Sequence, residues 1–85
     1  MPRLYKDFVT EIGARVRTLR KSRGFSVPYM ARRAGMTQTM VLQIEQGRRY
    51  SSNVDYSPQL LTYIRIAKVL NVNLGELFRG VQLPD

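Results

Sequence analysis

At 85 residues the chain has room for one small domain, and a content of 44% hydrophobic and 24% charged residues favours a modest core over disorder. It holds no cysteine and no histidine, which excludes disulfide staples, thiolate chemistry, the usual general base and the commonest metal ligand. Fourteen Lys and Arg against six Asp and Glu give a net charge of +8 and a pI near 10.6, which implies either a polyanionic partner or a solvated basic surface with no specific partner.

Eleven of the fourteen cations are arginine, whose forked guanidinium suits phosphate. No apolar run approaches the ~18 residues of a membrane span. The N-terminal MPRLYKDF lacks the apolar core of a secretory signal, so a cytoplasmic location is expected. There is no internal repeat, low-complexity tract or interdomain linker.

Periodicity and punctuation predict five helices and no strand. The first runs from about Asp7 to Ser22, with Phe8, Ile12, Val16 and Leu19 at helical spacing and Gly24 as its stop. The second has Ser26 as N-cap, Pro28 in its first turn, Met30, Ala31 and Ala34 as its packing side and Gly35 as its end. Thr37 caps a third helix that reaches about Gln46 and closes at Gly47; helix, glycine turn and helix make a helix-turn-helix. The fourth opens at Ser57-Pro58 and runs to about Leu70, with Leu60, Ile64, Ala67 and Leu70 on one side. The fifth begins at Asn73, with Glu76 completing a capping-box-like pair and Leu77 and Phe78 as its apolar residues.

Three stretches, IGARVRTLRKSRGFS (Ile12 to Ser26), MARRAGMTQTMVLQIEQGRR (Met30 to Arg49) and IAKVLNVNLGELF (Ile66 to Phe78), carry a resemblance to the phage repressor/Cro-type, or xenobiotic-response-element, helix-turn-helix family. The resemblance implies an all-α, five-helix lambda-repressor-like domain over 12–79, with an N-terminal extension before it and a tail at 80–85. It also implies an ion pair between Arg20 and Glu45 that braces the third helix. Two departures stand out. Val27 and Pro28 occupy the place where the family usually has a phosphate-holding Gln, and the connection from Arg48 to Tyr56 is about four residues longer than usual.

The third helix can also be read by itself. At roughly 100° per residue, Gln38, Thr39, Leu42, Gln43 and Gln46 share one arc, while Met40, Val41 and Ile44 lie opposite and should pack inward. A purely solvated helix more often carries Lys and Glu on its outside. Gln can pair with adenine and Thr can donate, accept or offer its methyl to thymine, so Gln38, Thr39, Leu42 and Gln43 are the expected base contacts. Leu42 would cover a thymine methyl or lie at a protein contact. Arg48 and Arg49 are expected on phosphates, with Arg20, Lys21 and Arg23 as a second clamp and Thr37 beside the groove. Arg32 and Arg33 either cross the backbone or are solvated.

The expected function is that of a sequence-specific double-stranded DNA-binding regulator, a repressor or autoregulator of phage, plasmid, toxin–antitoxin or restriction–modification type. It would bind a palindromic operator as a homodimer through Leu61, Val69, Leu74, Phe78, Val81 and Leu83. No catalytic cluster, metal, cofactor, small-molecule ligand or membrane role is expected, because the acids are scattered and the apolar side of the first helix is needed for the core. The alternative is a protein-interaction module such as an antitoxin or adaptor.

Overall fold

A computed structural model of the chain describes residues 5–47, 58–81 and 83. It contains five helices, α1 (Tyr5–Ser22), α2 (Val27–Ala34), α3 (Gln38–Gln46), α4 (Leu60–Leu70) and α5 (Leu74–Phe78), and no strand among the described residues. The longest, α1, packs against α3, α4 and α5, while α2 packs against α3 and α4.

Local chemistry sets most of the helix ends. The Ser26 hydroxyl accepts from the Tyr29 N–H and the Thr37 hydroxyl accepts from the Met40 N–H, each satisfying an otherwise orphan donor. Asn73 and Glu76 form a reciprocal capping box at the start of α5. Gly35 closes α2 at φ 70, and its N–H, with that of Met36, takes up carbonyls of the last α2 turn.

The start of α4 differs from the sequence expectation. The helix begins at Leu60 with Gln59 as a cap residue that makes no side-chain cap bond, Pro58 lies before it, and Ser57 lies outside the described residues. Its buried side is also turned. Tyr63, Ile66, Ala67 and Leu70 face the core, whereas Leu60 and Ile64 are exposed, a rotation of about 60° from the predicted stripe. The stripe that wins is the one α1, α2 and α5 cover.

The core joins Ile12 and Val16 of α1, Met30 and Ala31 of α2, Val41 and Ile44 of α3, Tyr63, Ile66, Ala67 and Leu70 of α4, and Leu77 of α5. Tyr63 meets Phe78 edge-on at 5.4 Å between ring centroids, and Phe78 lies 6.4 Å from Phe8, which seats α5 between α1 and α4. Arg15 adds a hydrogen bond from Nη1 to the Glu76 carbonyl.

Candidate nucleic-acid interface

The helix-turn-helix of α2 and α3 depends first on how α3 is held. Its Val41 and Ile44 are fully buried, while Gln38, Thr39 and Gln46 stand exposed and Leu42 and Gln43 are half-covered. Met40 departs from expectation. It is 39% exposed although it sits only about 40° from Ile44 around the helix, because it lies at the edge of the arc that Ile44, Val41 and Glu45 bury.

Arg20 meets Glu45 across the α1–α3 interface. Its Nε donates to Oε2 at 2.6 Å and its Nη2 to Oε1 at 3.1 Å, a forked arrangement, and Nη1 donates to the Phe25 carbonyl at 2.8 Å. The pair is 9% and 3% exposed at its side chains. One guanidinium thus ties α1, the α1–α2 turn and the last turn of α3 together. The sequence reading also gave Arg20 a phosphate contact, and the geometry opposes that second role, since all three nitrogens donate inward.

Beside this pair the two helices touch main chain to main chain. A Cβ on Gly13 would come within 2.1 Å of the Ile44 carbonyl oxygen and 2.8 Å of that of Glu45, so no larger residue fits without moving α3. Gly47, at φ 69, makes a similar approach to the backbone of Thr10. Helix α3 is therefore set against α1 with no side chain between them at Gly13.

The predicted phosphate contacts divide. Lys21 is exposed at the end of α1. Arg23 is exposed but turned back, its Nε donating to the Leu70 carbonyl at 2.5 Å and its Nη1 to the Ser22 hydroxyl. It caps the end of α4, which weakens its claim to a clamp. Thr37 is exposed, and its hydroxyl keeps a donor after accepting from Met40. Arg48, Arg49 and the long connection lie outside the described residues.

Arg17 is not among the contacts expected from the sequence. It borders a cleft of about 140 Å³ with Leu42, Gln46, Arg20 and Glu45, at the edge of the outer arc of α3. The available signal was its position three residues before Arg20, which places both on neighbouring sides of α1.

Of the residues expected at a dimer contact, Leu61 and Leu83 are exposed. Val69, Leu74, Phe78 and Val81 are half-buried against the chain's own core. Leu60 and Ile64 join Leu61 in an exposed apolar face at the start of α4. Among the described residues no helix is long and apolar enough to cross a membrane, and no three His, Cys, Asp or Glu side chains gather as metal ligands.

A capped two-helix motif braced from behind and presenting a neutral polar arc on a basic domain defines a helix-turn-helix DNA-binding domain. The chain belongs to this family, since the helix-turn-helix domain model matches residues 11–78. It is similar to the restriction-modification controller protein C.AhdI from Aeromonas hydrophila, with 30% identity and a TM-score of 0.72 over 87% of this chain and 100% of that one. It is also similar to an HTH_3 family transcriptional regulator from Vibrio cholerae, with 32% identity and a TM-score of 0.72 over 86% of this chain and 37% of that one. A third similar structure is the biofilm master regulator SinR of Bacillus subtilis in complex with DNA, with 27% identity and a TM-score of 0.64 over 78% and 95% of the two chains. No curated protein matches the chain. Fold and family together make it a DNA-binding transcriptional regulator of the xenobiotic-response-element type.

Proposed function

We propose that the protein is a repressor or autoregulator that places the outer arc of α3 in the major groove of a palindromic operator. The observation that carries this reading is the division of α3 itself. Its inner side is locked to α1 by the Arg20–Glu45 pair and Gly13, while its outer side offers Gln38, Thr39, Gln43 and Gln46 with no charge among them. Amides and hydroxyls on a rigid support are suited to base edges. Leu42 flanks them for a thymine methyl. SinR, which is similar in fold, has been seen in complex with DNA, which supports DNA as the partner here.

Phosphate contacts in this reading come from Arg17, Lys21 and Thr37, with Arg48 and Arg49 following α3. The sequence reading's Arg20 moves from phosphate to brace. One helix reads too few base pairs for useful specificity, so the domain acts as a homodimer on two half-sites about 34 Å apart. The exposed Leu60, Leu61 and Ile64, with Leu83 of the tail, supply the self-complementary surface. Repression in this reading comes from occupancy of the operator.

The test is binding of alanine variants to a selected operator and to scrambled duplex at several salt concentrations. Gln38→Ala, Thr39→Ala or Gln43→Ala should each cost ~1–3 kcal/mol on the operator and almost nothing on scrambled DNA. Arg48→Ala or Arg49→Ala should weaken both equally and lower the salt slope by about one unit. Equal losses on both duplexes for the amide variants would show that α3 grips the backbone without reading it.

A further inference from the structure

A second basic feature lies where the end of α2 meets α4. Arg32 and Arg33 at the end of α2 and Arg65 and Lys68 on α4 line an open cleft of about 330 Å³, with Ala34 and Gly35 as its remaining wall. Among the described residues no acidic one lines it. Arg33 lies 5.9 Å from the ring centroid of Tyr29, a contact that needs no carboxylate.

The ordinary explanation for cations at helix ends is the macrodipole. Arg32 and Arg33 fall in the last turn of α2, and Lys68 in that of α4. Two helix C-termini together contribute only about one negative charge. Four cations in the cleft therefore leave about three positive charges unanswered. The carbonyls of Ala31, Arg32, Ala67 and Lys68 in those last turns are moreover taken by the N–H groups of Gly35, Met36, Asn71 and Val72, and that of Leu70 by Arg23, not by these side chains.

Resting on the reading of this domain as a DNA binder, we propose that the cleft holds the sugar–phosphate backbone of the same duplex that α3 reads. Three of its four cations are arginines, which gives forked donors for phosphate oxygens. The cleft is open, as a continuous strand requires and a sequestered small ligand does not. It also adjoins the reading element, because Gly35 in its wall is two residues, at most ~7 Å of chain, from the Thr37 cap of α3. In the free domain the four cations repel one another; a phosphate between them removes that repulsion. Such a contact also compensates for Val27 and Pro28, which offer no polar side chain at the start of α2.

The experiment uses the full chain and the double variant Arg65→Gln/Lys68→Gln, which leaves α2, α3 and the Arg20–Glu45 brace untouched. Both proteins are titrated with selected operator and with scrambled duplex between about 50 and 200 mM salt. The expected result is a salt slope lower by about two units on both duplexes, so that the parent's loss of affinity across that range exceeds the variant's by roughly tenfold. Preference for operator over scrambled DNA stays the same, and the free variant melts at or slightly above the parent's temperature. A parent that binds duplex while the variant keeps the same slope would overturn the cleft contact alone, leaving it to an acidic protein or a small phosphate. A parent that binds neither duplex would overturn the DNA-binding reading and this contact with it.

Discussion

Helix α3 and the first half of α4 are both short amphipathic segments, yet the fold treats them in opposite ways. Thr37 caps α3 at its start, Arg20 grips Glu45 with two donors at its end, and Gly13 presses against its carbonyls. By contrast, α4 begins without a side-chain cap and exposes Leu60, Leu61 and Ile64; its hold on the core comes from Tyr63 onward. Local stability varies across a domain, and segments that meet partners are drawn from the weakly held end. Here the element that needs a fixed pose is fastened at both ends, and the one left apolar and open is suited to adjusting against another surface.

The largest expected effect is from removing the brace. Glu45→Ala leaves the Arg20 guanidinium buried without its carboxylate, at a cost of ~3–5 kcal/mol. A urea melt that matches the parent's within ~1 kcal/mol would erase the contrast between the two helices. Gly13→Ala comes next, with ~1–3 kcal/mol lost to overpacking. Because relief requires α3 to shift, its operator-to-scrambled binding ratio should fall further than stability alone explains. An unchanged ratio in a destabilised but folded variant would mean that the contact packs without positioning. The smallest effect on the monomer is expected from Leu60→Gln/Leu61→Gln, within ~0.5 kcal/mol because both side chains already face solvent. Sedimentation of that variant sharpens the comparison from the other side, since self-association should drop while the melt does not.

Much of this was legible because the governing interactions are local. Ser26, Thr37 and the Asn73–Glu76 pair announce helix starts through bonds that span three residues, so a linear reading finds them. The phase of α4 was not legible in that way. Leu60 and Ile64 fit a helical stripe as well as Tyr63 and Ile66 do, and only the placement of α1, α2 and α5 decides between them. Arg20 shows the same limit at the site. Its charge suggested phosphate and its family position suggested an ion pair, and the inward aim of its three nitrogens separates the two. Arg17 went unnoticed because its neighbours Leu42 and Gln46 lie on another helix, about 25 residues along the chain.

The bare contact at Gly13 has a consequence for how such a protein can change its target. A side chain between α1 and α3 would have rotamers, and substitutions elsewhere on α3 could be absorbed by its repacking. Main chain against main chain has no such adjustment. The pose of the helix and the alphabet it displays are thus kept by separate sets of residues, one inward and one outward. Under the proposed function, new operators become reachable by rewriting Gln38, Thr39, Leu42 and Gln43, while the mount that aims them stays as it is.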